Sequence, residues 1–110
     1  MTLVRIIMSV LPEKRKEVYQ TLLSLIELPE IERGCLSYGI FWSIEDENVF
    51  SLISEWTSRQ ELDHHLRSDK FGILLGIKSL LSEPIMINIF TVSDFEGIEA
   101  VNSARKKATD

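Results

Sequence analysis

At 110 residues and 12.6 kDa the chain has the length of one domain around one core. With 45% hydrophobic and 26% charged residues it reads as an ordinary globular chain. A net charge of −5 excludes a general affinity for nucleic acid, whose phosphates call for a basic surface. No apolar run approaches the roughly 18 residues of a membrane span. Cys35, the sole cysteine, permits no intrachain disulfide. Together with an N-terminus that enters a strand pattern at once, this predicts a cytoplasmic protein. Cys35 itself reads as a small buried hydrophobe rather than a reactive thiol.

Residues 2–10, rich in β-branched and apolar types, predict strand β1. Pro12 suits a first helical turn, and Val18, Leu22, Leu25 and Ile26 recur on one helical face. Helix α1 is expected over 12–28, stopped by Pro29. The cluster Lys14-Arg15-Lys16 is answered by Glu13 and Glu17 and reads as a solvated face. The link 30–34 ends in the turn glycine Gly34. Strands β2 (35–43) and β3 (48–57) follow as a hairpin around the acidic turn Glu45-Asp46-Glu47.

Ser58-Arg-Gln-Glu61 has the capping-box pattern and starts helix α2, with Leu62, His65 and Leu66 inward. Ser68-Asp69 breaks or re-caps the chain, and a second helical piece, α3, runs from Phe71 to about Ser82. Gly72 and Gly76 inside it are either points of close approach or simply tolerated. Strand β4 spans 85–92. Ser93-Asp-Phe-Glu96 repeats the capping logic and launches a tail helix, α4, with Phe95, Ile98 and Val101 facing inward; 103–110 reads as frayed.

The order β-α-β-β-α-β folds, with right-handed crossovers, into an α+β domain. It is ferredoxin-like, an antiparallel sheet with helices on one face. The domain is expected over 1–93, with 94–110 as a helix and tail. Its strands do not alternate cleanly between apolar and polar. Leu3 and Ile7 back Val4, Ile6 and Met8, and Met86 and Phe90 back Ile87 and Ile89. Two apolar faces with helices on only one of them predict a homodimer packed sheet to sheet. Were β1 and β3 adjacent, Arg5 and Glu55 would be placed to pair.

The turn Arg33-Gly34-Cys35-Leu36-Ser37-Tyr38, the strand end Ser54-Glu55-Trp56, the helix Glu61-Leu62-Asp63-His64-His65-Leu66 and the run Ser68-Asp69-Lys70-Phe71 resemble the antibiotic biosynthesis monooxygenase family. The likeness runs through residues 2–92 in order and spacing. It implies a dimeric α/β-barrel and a monooxygenase that needs no cofactor, acting on a small quinol or polycyclic phenol. Once deprotonated, such a substrate is electron-rich enough to meet oxygen directly, and the protein supplies an apolar pocket, a base and water exclusion.

Residue by residue, His65 matches the family's helix histidine and would be the catalytic base or hydrogen-bond donor. Its alternative is a core-edge histidine orienting the helix. Trp56 matches the family tryptophan, and with Tyr38, Phe71 and Trp42 it is a candidate for binding substrate or, alternatively, for plain packing. His64, one residue around the helix, is expected to face solvent, which leaves no helical histidine pair for a metal. The chain departs from the family on β1, where members carry an asparagine and this strand has none. That departure bears on the oxygenase reading and more on its haem-degrading branch. It favours the competing view of a non-catalytic dimeric module that binds a small apolar ligand.

Overall fold

The computed structural model describes residues 1–26 and 33–108. Strand periodicity resolves into one antiparallel sheet, β1 (Thr2–Ser9), β2 (Cys35–Trp42), β3 (Val49–Trp56) and β4 (Met86–Thr91), in the order β2-β3-β1-β4. This is the expected ferredoxin-like α+β fold. Thr2, Val4, Ile6 and Met8 of β1 and Phe50, Leu52, Ser54 and Trp56 of β3 point to one face and are buried. Onto that face pack α1 (Arg15–Ile26) through Val18, Leu22 and Leu25, α2 (Arg59–Leu66) through Leu62 and His65, and α3 (Asp69–Leu75) through Phe71 and Leu74.

The opposite face carries Leu3, Ile7 and Ile53, half-buried, with exposed Phe41, Met86 and Phe90. No element of the described chain lies over it. Arg5 and Glu55 sit there too, but they do not pair. Across the β1–β3 ladder Arg5 lies opposite Ile53 and Glu55 opposite Leu3. The Arg5 guanidinium instead donates to Asn88 Oδ1 of β4 at 3.2 Å and lies 5.5 Å from the Phe90 ring centroid, while Glu55 accepts from Ser37 Oγ at 2.7 Å. Adjacency of strands was readable from the topology; register, which decides the partners, was not.

Other boundaries shift for local reasons. Pro12–Lys14 forms a 3₁₀ turn ahead of α1, whose expected last residues, 27 and 28, lie outside the described residues. Ser58 Oγ accepts from Glu61 N at 3.3 Å, the predicted cap of α2. Ser68 re-caps the chain as predicted, accepting from Phe71 N at 3.2 Å and donating to the His65 carbonyl at 2.6 Å. α3 then tightens into a 3₁₀ segment, Gly76–Leu80, rather than continuing as α-helix. Cys35 is half-exposed rather than buried, and its thiol lies 3.4 Å from the Ser37 carbonyl at a β-bulge.

The C-terminal helix α4 (Ile98–Ala108) departs most from expectation. It starts after Gly97, a residue unfavourable inside a helix, so the Ser93–Glu96 box does not launch it. It remains helical through residues expected to fray. Phe95, Ile98 and Val101 face solvent, at 80%, 64% and 50% exposure, because no other element among the described residues packs against them.

Three glycines have opposite consequences. Gly34 adopts φ +82°, and a Cβ there would meet Glu61 Cγ at 2.5 Å. Its carbonyl also accepts from Thr57 N at 2.9 Å, holding the start of β2 against the end of β3. Gly34→Ala is therefore expected to cost about 2 kcal/mol or more, read as a lowered urea midpoint, since left-handed backbone and the clash add. Around Gly72 and Gly76 a Cβ meets nothing within 4 Å. Alanine at either position should raise stability by about 0.5–1 kcal/mol, seen as a higher melting temperature.

Candidate functional site

The buried face of β3 places Ser54 and Trp56 side by side, two residues apart. The Trp56 indole N–H donates to Ser54 Oγ at 2.9 Å, which fixes the ring plane. From above, the apolar stripe of α2 brings His65 down onto that ring. The imidazole stacks on Trp56 with centroids 4.6 Å apart and planes 28° off parallel. The Phe71 ring meets it edge-on at 5.5 Å, and Tyr38 of β2, opposite Ser54 in register, does so at 6.1 Å. His65 is 4% exposed. It is thus held in an aromatic enclosure in which each wall comes from a different element. Lys70, at the start of α3, closes the rim with its ammonium 4.8 Å from the Tyr38 centroid, a cation–π contact.

Three of the four aromatic residues singled out in the sequence, Trp56, Tyr38 and Phe71, therefore surround His65. Trp42 does not. It lies four residues along β2 from Tyr38, stacked on Phe50 at 5.2 Å and tilted against Tyr19 at 6.1 Å, with its indole N–H bound to the Glu47 carbonyl. There it lines a cavity of about 130 Å³ with Tyr19, Leu22 and Ile26 of α1 and Ile40 and Phe50 of the sheet. Tyr38, Ile40 and Trp42 share one face of β2, which sets the Trp42 cavity about 13 Å along the strand from the histidine enclosure. On the outer side of Trp42 a shallower cleft of about 310 Å³ is lined by Pro12, Arg15, Lys16 and Tyr19. Arg15 is tied down there, 3.1 Å from Glu47 and 3.1 Å from Asn48 Oδ1.

His64 faces solvent, as its position on α2 requires. Sequence reasoning passed over Ser54 and Lys70. For Ser54 a signal existed, because a hydroxyl two residues before a buried tryptophan lies on the same strand face. Lys70 carried no signal, since its contact depends on where α3 begins relative to β2. The chemistry within reach is that of an imidazole in an apolar, aromatic surround that excludes water, with one cation at the rim.

Comparison with known proteins follows the same outline. The family model described as antibiotic biosynthesis monooxygenase matches residues 1–72. YcnE of Bacillus subtilis (strain 168), a monooxygenase candidate, is 31% identical over 75 residues, 67% of this chain and 79% of its own. The protein sll1783 of Synechocystis sp. is 27% identical over 84 residues, 76% of this chain, which spans only 57% of that longer protein. A crystal structure of an antibiotic biosynthesis monooxygenase, 24% identical, superposes with a TM-score of 0.77, all of it covered by 86% of this chain, and so shares the fold.

Proposed function

The chain belongs to the antibiotic biosynthesis monooxygenase family, and on that footing we propose that it is a homodimeric, cofactor-independent monooxygenase of a small aromatic alcohol, a quinol or a polycyclic phenol with an open ring position para to its hydroxyl. The observation that carries this reading is the His65 imidazole, stacked on Trp56 and walled by Tyr38 and Phe71. The substrate rings lie against the walls of this enclosure, and the hydroxyl reaches His65. His65 takes the phenol proton as general base. The phenolate donates electrons to dioxygen, and a C–O bond forms at the para carbon. The proton held by His65 passes to the peroxide, and the ring hydroperoxide breaks its O–O bond as the para carbon gives up its hydrogen as a proton. Water leaves with one oxygen atom, and the other remains as the second carbonyl of a quinone. One phenol and one O₂ give one quinone and one water. The walls exclude bulk water, which keeps the phenolate reactive, and Lys70 offers a cation toward negative charge developing at the rim.

The apolar face left open by Leu3, Phe41, Met86 and Phe90 supports the dimer, two sheets packed through that face. Sedimentation is expected to give twice the 12.6 kDa chain mass at micromolar concentration.

1-Naphthol tests the activity. Purified protein should consume one O₂ for each 1,4-naphthoquinone formed, followed with an oxygen electrode and by quinone absorbance. A protein that binds 1-naphthol but takes up no oxygen supports the second reading, a dimeric ligand-binding module without catalysis. One feature favours that second reading. The site-facing residues Val4, Ile6 and Met8 of β1 are apolar and fully buried, so the one side-chain hydroxyl that β1 turns to this face is that of Thr2, opposite Trp56, and no amide stands there.

A further inference from the structure

The helix α4 poses a physical problem in the isolated subunit. Eleven residues are too few for a helix to be stable alone in water, where about 12–15 is marginal even for good formers. Yet from Glu96 to Lys107 every side chain is exposed except half-buried Ala100. Ile98 and Val101, spaced by three on α4, and Phe95 in the segment that leads into it make up an uncovered apolar stripe. The stripe is flanked at its start by Asp94, Glu96 and Glu99, and the last turn carries Arg105, Lys106 and Lys107. These end charges complement the helix dipole, but the dipole leaves the stripe unexplained. The segment lies beyond residue 72, where the family match stops.

One other exposed feature has the complementary character. The tip of the β2–β3 hairpin presents Ile44, fully exposed, next to Glu45, Asp46 and Glu47. The tip is rigid: Ser43 Oγ accepts from the backbone N–H groups of Glu45 and Asp46 at 3.2 Å each, and Asp46 Oδ1 from Asn48 N at 2.9 Å. Within one subunit the two features sit at opposite ends of the sheet. Thr91, from which the tail departs, pairs with Thr2 at the Trp56 end, whereas the tip follows Trp42 at the Phe50 end. The eight residues of β3 between them span about 25 Å.

We infer that α4 is an exchanged arm, which packs its Phe95–Ile98–Val101 stripe and basic last turn against Ile44 and the acidic hairpin tip of a second copy of this chain. The inference rests on the sheet-to-sheet dimer proposed above. A twofold axis crossing the strands brings each subunit's tip to the end where the other's tail emerges, and symmetry makes the contact twice. A membrane surface fits less well, because surface helices carry Lys and Arg along their whole polar face. Here the first half is acidic, on a chain of net charge −5.

Paired charge reversals in the full-length chain test the arm. One variant carries Arg105→Glu with Lys107→Glu, the other Glu45→Lys with Asp46→Lys. All four side chains are exposed, so the fold is spared. Alone, each variant should dissociate at concentrations about tenfold higher than wild type in sedimentation velocity, from like charges now facing each other across two contacts. Mixed, they should form heterodimers well above the one-half of random pairing, measured by native mass spectrometry, since both contacts regain opposite charges. Random pairing would overturn the arm while leaving the dimer standing. A monomeric wild type would remove the dimer itself and the arm with it. Wild-type binding to phosphatidylglycerol vesicles that is lost in Phe95→Ser/Ile98→Ser/Val101→Ser would assign the stripe to a membrane and overturn the second copy as its occupant.

Discussion

His65→Gln is expected to lower kcat for phenol oxidation by about 10²–10⁴-fold, the range lost with one positioned acid–base group, while the protein stays folded. Glutamine keeps a polar side chain of similar reach but cannot take a proton from a phenol. It also forfeits the stack on Trp56 and the edge contacts of Phe71 and Tyr38, which should cost about 1–2 kcal/mol in urea unfolding. His65→Phe separates the two effects, since a flat ring preserves the stack. Its unfolding midpoint should lie above that of His65→Gln while oxygen uptake is still abolished. Were His65 only a packing residue, His65→Phe would retain the activity and His65→Gln would lose activity and stability in parallel.

Trp56→Ala is expected to produce the largest loss of stability among single substitutions at the site, about 3–5 kcal/mol. The indole is 1% exposed and fills the space between the end of the sheet and α2. Its removal opens a cavity under His65, and the buried Ser54 hydroxyl loses the N–H that it accepts. Against a total of roughly 5–15 kcal/mol for a domain of this size, that is a large share. Urea unfolding should show a lower midpoint with an unchanged slope, the mark of altered stability rather than altered compactness. Trp56→Phe keeps most of the ring area and loses only the hydrogen bond and some volume, so it should cost about 1–3 kcal/mol. Equal losses in the two variants would mean that packing of the indole's outer ring is not what holds α2 in place.

What could be read in advance follows from how far each signal reaches along the chain. Strand β1 was legible from its β-branched, apolar run, although two apolar faces left open which one the helices cover. The inward turn of His65 was legible from Leu62 and Leu66 around it. Ser58 and Ser68 capped their helices as written, because a cap is a contact between residues three apart. Features set by register or by distant neighbours were not legible. Arg5 met Asn88 rather than Glu55, and Lys70 met Tyr38 across an element boundary. Trp42 was grouped with Trp56 and Tyr38 as one aromatic set, yet four strand residues carry it away from the histidine enclosure to a separate cavity. Ile98 and Val101 share a helical face as read, but Phe95 lies ahead of the helix and all three face solvent, because the described chain holds nothing for them to pack against.

The central claim is that this aromatic enclosure lets dioxygen react with a bound phenol without a resident cofactor. A single turnover of the purified wild-type protein with 1-naphthol under ¹⁸O₂, with the quinone analysed by mass spectrometry, tests it most directly. One ¹⁸O atom per 1,4-naphthoquinone, absent when His65→Phe replaces wild type, is the predicted result. Quinone without label, or label that persists in His65→Phe, would contradict it.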